Sequence, residues 1–432
     1  MGRTAAISAP PRTKAFPNTI RTGAANTMSI ATERPPMISL YTGAGGLDFG
    51  FEAAGFETRV GLEFDSIAVS TIGANRDWPM IHRDILSTTS TEILEAGTLQ
   101  VGEAALLIGG PPCQPFSKSA YWANGDAKRL DDPRARTLDE FMRVVDQTLP
   151  VAFLLENVHG INYSGKEEGL RHLLRMLTSI NERNGTNYSP AWAVLNAVDF
   201  GVPQLRSRFF MVAHRHGFQF EFPQPTHGPD HPLRPHVTAW AAIGKLNVDP
   251  LEDLGVRGKW GDLLPSIPEG ENYLWHTERK GGMPLFGWRR RYWSFLLKLA
   301  KNRPSWTIQA SPGPAVGPFH WQNRRLSVRE MAALQTFPAE IVFKGSRGAI
   351  QRQIGNAVPS LLAEVLAREI KKQYFGVSDA GPLALAVPEI TKTPPPEPVA
   401  AVLPKYHALV GTDDAHPGTG RGRSALAGTN ST

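Results

Sequence analysis

Met37-Ile-Ser-Leu-Tyr-Thr-Gly-Ala-Gly-Gly-Leu-Asp-Phe-Gly-Phe51 joins a short apolar run to a glycine-rich turn and then to a segment of helical period. That order, strand then turn then helix, opens a βα unit. Six further short apolar runs follow: Thr58 to Leu62, Met80 to His82, Ala104 to Ile108, Val151 to Leu155, Ala191 to Val198 and Ser207 to Ala213. Longer segments of helical period separate most of them. Strands alternating with helices over this length predict an α/β fold with a doubly wound, mostly parallel sheet. Such sheets bind ligands in the crevice at the carboxyl ends of their strands, so the residues at those ends carry the functional argument.

The first strand runs into the glycine turn, with Tyr41, Gly43 and Gly45. The second ends at Glu63-Phe64, about 20 residues after the first glycine, where nucleotide-binding folds set an acid on ribose hydroxyls. The third ends at Asp84, within reach of an adenine amino group. The turn reads Gly-x-Gly-Gly and lacks the full dinucleotide fingerprint, which suits an adenosyl ligand without phosphates. Alone the turn could be purely structural; joined to Glu63 and Asp84 at successive strand ends it points to a cofactor.

The fourth strand delivers Ile108-Gly-Gly-Pro-Pro-Cys-Gln-Pro-Phe-Ser117, which holds Cys113, the only cysteine of the chain. One cysteine forms neither an internal disulfide nor a cysteine-rich zinc site, leaving an inert core thiol or a nucleophile. Flanking prolines and glycines make a stiff, non-helical turn that favours the nucleophile. The fifth strand ends in Leu155-Glu-Asn-Val158. A carboxyl after an apolar run either caps the next helix or is half-buried and holds its proton near neutrality. A thiol and a protonated carboxyl beside an adenosyl pocket suit covalent activation of a poor electrophile. Cytosine is one: thiolate addition at C6 with protonation of N3 makes C5 nucleophilic enough to take a methyl group from S-adenosylmethionine.

The 432 residues are 41% hydrophobic, carry a net charge of +6 and have a sequence pI near 9.4. No stretch approaches the roughly 18 apolar residues of a membrane span, and no secretory signal opens the chain. A reducing, cytoplasmic setting beside the nucleoid is expected. Residues 1–36 are acid-poor and aperiodic and read as disordered, either a transit-type segment or the result of a start codon assigned upstream of Met28 or Met37. Residues 376–432 are Pro-, Ala- and Gly-rich and read as a disordered tail. Between Trp275 and Arg303 eight Lys or Arg stand against Glu278 alone, interleaved with aromatics. This mixture suits a nucleic-acid surface, or else a solvated basic face over a small local core.

Taken together, these residues resemble the DNA (cytosine-5) methyltransferase family, of the restriction-modification or orphan bacterial type. Tyr41-Thr-Gly-Ala-Gly-Gly resembles its cofactor motif, Gly109 to Ser117 its nucleophile loop and Glu156-Asn-Val its acid motif. Gln204-Leu-Arg-Ser-Arg208 resembles its Gln-x-Arg-x-Arg motif. Arg324 to Pro338 and Gln353-Ile-Gly-Asn-Ala-Val-Pro359 resemble its two late motifs, in family order. The resemblance implies that Cys113 is the nucleophile and Glu156 the residue protonating N3. Arg206 and Arg208 would orient the flipped cytosine and its phosphate, Arg208 being the nearer to the base, unless they are a surface salt-bridge pair. Tyr41, Gly43, Gly45, Glu63, Phe64, Asp84, Asn356 and Ala357 would line the S-adenosylmethionine pocket. Residues 348–375 would then pack back beside the first strand and complete a catalytic domain of residues 37–213.

Residues 214–347 would form a target-recognition domain. Ser117, Lys118 and Ser119 suit DNA phosphates on a loop closing over the duplex, Arg289, Arg290 and Arg291 suit guanine edges or phosphates, and Thr307 lies at the domain's border. The partner expected is duplex DNA, with a cognate restriction endonuclease acting on the same site, and the enzyme is expected to be monomeric. A tRNA methyltransferase on the same scaffold is the nearest rival. Its relatives have a short recognition region, whereas over a hundred residues separate Arg208 from Arg324 here. A silent DNA-binding descendant would have lost Cys113, Glu156 or the glycine turn. A small-molecule methyltransferase leaves the basic aromatic insert unexplained.

Overall fold

The computed structural model describes residues 34–112, 136–158, 168–230, 232–286, 293–390 and 392–411. Cys113, Ser117, Lys118, Ser119 and Arg289 to Arg291 lie outside the described residues, as do the first 33 residues and the last 21.

Seven strands form the main sheet: β1 (Pro36–Leu40), β2 (Glu57–Glu63), β3 (Met80–His82), β4 (Leu106–Gly109), β5 (Ala152–Val158), β6 (Ala191–Asn196) and β8 (Ser207–His214). Their order is β3-β2-β1-β4-β5-β8-β6. The β1–β2, β1–β4, β2–β3 and β4–β5 pairs are parallel, while β8 runs antiparallel to both β5 and β6. The seven apolar windows of the sequence coincide with these strands to within a few residues. The reversal of β8 brings its first residues against the carboxyl end of β5, with Arg208 opposite Val158.

Both faces of the sheet are covered, as its near-continuous apolar strands require. On one face α3 (Ser90–Gly97), α4 (Arg136–Thr148) and α5 (Glu168–Asn184) contribute Ile93, Phe141, Leu173 and Leu177 to a core with Ile38, Leu107, Phe153 and Met211. On the other, α1 (Gly46–Ala53) and α9 (Ser360–Phe375) supply Phe51, Leu361, Leu362 and Leu366 against Met37, Ile108, Leu154 and Phe210. A Cβ at Gly50 would stand 2.4 Å from Ser360 O and 2.6 Å from Glu364 N, so α1 and α9 approach backbone to backbone. The last helical segment therefore does return beside the first strand.

A short parallel pair, β7 (Gln204–Leu205) with β9 (Ser305–Trp306), joins the central chain to the insert. The insert has its own core of Leu263, Ile267, Tyr273, Phe286, Phe295 and Phe319. Residues 320–347, including α7 (Val328–Leu334), pack instead with Ala44, Phe49 and Ile72, as does α8 (Arg347–Asn356) through Ile354. Among the described residues no helix is long and apolar enough to cross a membrane.

Two sequence expectations are corrected. Parts of the segment read as a tail make tertiary contacts: Leu383 and Leu385 lie against the sheet-face core, and Tyr406 is buried in the core of the insert. A few apolar residues suffice because they pack on cores formed by other segments, while Val377, Val399, Leu403 and Val410 stay exposed. Within the basic stretch, Lys298 and Lys301 are buried and hydrogen-bonded to Ile267 O and to Glu397, and Phe286 and Phe295 are core, so these four do not face a nucleic acid.

Candidate active site

The glycine turn is held in a backbone shape that L side chains adopt reluctantly. Tyr41, Gly43 and Gly45 have φ of 56°, 56° and 80°, and Gly45 caps α1 with no side chain of its own. Glu63 fixes the turn from the neighbouring strand: its Oε2 accepts from Gly43 N at 2.8 Å, and its Oε1 from Phe64 N at 2.9 Å and Asp65 N at 2.8 Å. Oε1 is filled by its two donors, while Oε2 retains a lone pair for a hydroxyl donor. Burial raises the Glu63 pKa against the pull of those three N–H groups.

Beside it the Phe64 ring is 67% exposed, a large apolar face presented to the crevice edge. Asp84 caps the following turn through Leu86 N at 3.0 Å. Tyr41 donates its hydroxyl to Thr137 O at 2.7 Å, which pins the turn to α4. From the far end of the chain, Ala357 packs on the turn: a Cβ on Gly46 would be 2.7 Å from the Ala357 Cβ and 2.6 Å from Val358 O. Asn356 is exposed beside it. Thus Tyr41, Gly43, Gly45, Glu63, Phe64, Asp84, Asn356 and Ala357 lie around the ends of β1, β2 and β3.

The second cluster sits at the ends of β4 and β5. Glu156 is 8% exposed and its Oε1 lies 3.0 Å from Arg208 Nε. In the antiparallel ladder Glu156 faces Phe210 and Arg208 faces Val158, so the two are diagonal neighbours on one face of the sheet. Burial pushes the carboxyl pKa up, while the guanidinium groups of Arg208 and Arg206 pull it down; the net direction is up. The loop leaving β4 passes directly over this carboxyl, because a Cβ on Gly110 would lie 2.7 Å from Glu156 Oε2. Asn157 Nδ2 holds Pro111 O at 3.3 Å. The described chain stops at Pro112, one residue before Cys113.

Comparison with known proteins completes the picture. Residues 36–372 match the model of the C-5 cytosine-specific DNA methylases. This chain belongs to that family. The methylase is 41% identical over 377 residues to the type II methyltransferase M.SacI of Streptomyces achromogenes, covering 80% of this chain and 95% of the relative. It is 34% identical to M1.HphI of Haemophilus parahaemolyticus, with coverage of 78% and 86%. Among solved structures the Entamoeba histolytica methyltransferase EhMeth aligns with a TM-score of 0.55 at 15% identity, covering 79% of this chain and 99% of that one, a likeness of fold.

The methylase departs from the sequence reading at Arg206. Expected to orient the flipped base or its phosphate, it is 1% exposed and donates to backbone carbonyls: Gly355 O at 2.7 Å, Ala357 O at 2.8 Å and Ile308 O at 3.4 Å. The chain changes sheet at Arg206, between β7 and β8, and that bend sends the side chain into the protein. Burial drives its pKa well below the ordinary value. Sequence reasoning also missed Gln204 and Gln335. Gln204 bridges Leu334 O, the Gln335 side chain and Ile308 N, and Gln335 in turn donates to Ile354 O. Both glutamines stand in the quoted motifs, and that was the available signal. Thr307 is exposed and its hydroxyl donates to Leu205 O at 2.6 Å, beside the Arg206–Arg208 segment.

Proposed function

We propose that this DNA cytosine-5 methyltransferase takes its methyl group from S-adenosylmethionine and acts on a flipped-out cytosine within a short, specific duplex sequence, through a covalent bond from Cys113 to C6. The observation that carries the reading is the buried Glu156–Arg208 pair beneath the Gly110 turn, beside the glycine turn that Glu63 fixes.

The first cluster fits an adenosyl group. Glu63 Oε2, with a single backbone donor, offers an acceptor site for a ribose hydroxyl, the exposed Phe64 ring offers a stacking face, and Asp84 offers an acceptor. S-adenosylmethionine bound there supplies an electrophilic methyl group on a sulfonium. Every other task falls to side chains of the protein. Cys113, as thiolate, adds to C6 of the cytosine; the displaced electron pair is taken up at N3, where Glu156 delivers its proton. C5 is then a nucleophile. After methylation the C5 proton passes to water, the C6–sulfur pair leaves on Cys113 as thiolate, and N3 returns its proton to Glu156, so the ring regains its conjugation. The raised pKa of Glu156 suits a group that must hold a proton near neutrality, and Arg208 steadies the carboxylate once that proton is given up.

Ser117, Lys118, Ser119, Arg289, Arg290, Arg291 and Thr307 are proposed to contact DNA, with the insert as the recognition unit; of the span 214–347 read from the sequence, residues 320–347 pack on the catalytic body instead. Extrusion of the target base costs a few kcal/mol, offset by contacts in the pocket. The type II designation of the relatives supports a cognate endonuclease acting on the same sequence. The protein is proposed to work as a monomer.

The test is incubation with duplex DNA containing 5-fluorocytosine and S-adenosylmethionine. Fluorine cannot leave as the C5 proton does, so an adduct accumulates on Cys113, and Cys113→Ala yields none. An adduct on tRNA with none across a diverse duplex library would replace DNA by RNA as the substrate.

A further inference from the structure

The family match ends at residue 372, and residues beyond it, as far as 411, contact both the catalytic body and the insert. That continuation crosses from the catalytic body to the insert and is fastened at three places. At the first, Glu364 of α9, fully buried, accepts from Ala384 N at 2.7 Å and Leu385 N at 2.9 Å. Arg368 donates to Gly381 O at 2.6 Å and Pro382 O at 2.7 Å.

At the second, the proline-rich stretch meets Lys301 of the insert. Lys301 Nζ donates to Pro395 O at 2.9 Å and Glu397 Oε1 at 2.7 Å, and pairs with Glu269 at 3.2 Å; Lys301 and Glu269 side chains are each 5% exposed. Glu397 N closes the ring on Glu269 Oε1 at 2.8 Å. Ala400 N then bonds Pro265 O at 3.0 Å. At the third, Tyr406 enters the core of the insert, stacked on Trp260 at 6.0 Å between ring centroids and 10° between planes, its hydroxyl donating to Lys259 O at 2.6 Å.

We propose that residues 377–390 and 392–411 act as a strap that sets the position of the insert relative to the catalytic cleft, with Glu397 and Tyr406 as positioning residues for DNA recognition. This rests on the reading of the insert as the recognition unit. The physical case is that the strap engages buried groups of both bodies: Glu364 of α9 at one end, and Lys301 and Glu269 of the insert at the other, with Tyr406 buried in the insert core. The strap completes the hydrogen bonding of a buried ion pair of the insert, since Lys301 Nζ donates to Pro395 O and Glu397 as well as pairing with Glu269. The fixed φ of the four prolines in Thr393-Pro-Pro-Pro-Glu-Pro398 stiffens the span, so it transmits position rather than merely tethering.

The experiment compares the full-length enzyme with a Glu397→Ala/Tyr406→Ala double variant, which loosens the second and third fastenings and leaves the first. The substrate is a duplex carrying the site mapped by 5-methylcytosine sequencing of plasmid from cells expressing the wild-type enzyme. S-adenosylmethionine affinity without DNA should stay within about twofold. KM for the duplex should rise about tenfold or more, and discrimination against single-base mismatches should fall, with kcat nearly unchanged. Tyr406→Phe, which keeps the ring, should restore most of the effect. Unaltered KM and discrimination would overturn the strap, even with a lower melting temperature. If the double variant fails to fold, the single Glu397→Gln variant decides on the same readouts. Absence of any mapped site in wild-type plasmid would instead refute the DNA reading itself; hydrogen exchange in the segment around Tyr273, expected to quicken in the double variant, then judges the strap by itself.

Discussion

Replacing Arg206 by Ala separates two accounts of the Gln-x-Arg-x-Arg motif. If Arg206 touched the flipped base or its phosphate, the substitution would raise KM for DNA and leave the apo protein intact. The structure gives it a different task. Its Nη2 makes two short bonds, to Gly355 O and Ala357 O, that fasten the residues on either side of Asn356 to the strand carrying Arg208. Hydrogen bonds to a charged donor contribute about 1.5–3 kcal/mol each, so losing both costs on the order of 3–6 kcal/mol, less the desolvation released with the guanidinium. Urea denaturation of the apo protein should report that loss directly. Because Ala357 packs against Gly46, calorimetric titration of the folded variant with S-adenosylmethionine should show weaker binding in the absence of DNA. A variant with wild-type stability and wild-type cofactor affinity, defective only toward DNA, would refute the reasoning and return Arg206 to the substrate.

Glu156→Gln removes the proton offered to N3, and single-turnover methylation should slow by about 10²–10⁴; a rate within tenfold of wild type would count against Glu156 as the acid. Asp48 on α1 is 1% exposed, its Oδ1 has no partner, and burial pushes its pKa up to about 7 from 3.8. The folded state thus binds this proton more tightly than the unfolded one, so the stabilisation is complete below about pH 4 and is lost as pH rises to about 7, on the order of 4 kcal/mol across the window. Asp48→Asn should flatten the stability profile between those values in urea melts, and an unchanged slope would exclude Asp48 as its source. Phe64→Ala removes the exposed ring at the end of β2 and should raise KM for S-adenosylmethionine about 5- to 100-fold, as expected for loss of one stacking face, with kcat little changed. Equal KM values in steady-state assays would show that the ring does not stack.

The glycine turn, Glu63, Asp84 and Glu156 were legible because each is a local event. An apolar run announces a strand, and the residue that ends it must lie at the sheet's carboxyl edge. Cys113 was read from the sequence in the same way, as the end of the fourth run, and lies outside the described residues. By contrast, charge pattern misread the stretch from Trp275 to Arg303 at Lys298 and Lys301, since one-dimensional spacing does not say which way a lysine points. The same limit hid the order of the tail. Its few apolar residues are too sparse for a core of their own, and their partners are in grooves formed by α9 and the insert, far away in sequence.

Sequence by itself determined the strands, the turn that opens the fold and the acids that close it, since these depend on period, backbone conformation and nearest neighbours. Only the tertiary structure decided that β8 runs backwards between β5 and β6. That reversal sets Arg208 diagonally against Glu156, while the change of sheet at Arg206 turns that side chain to the carbonyls around Asn356. Two arginines two residues apart carry the same local signal. Their separate fates follow from which distant segments complete the burial on each side, a choice made by the whole sheet at once.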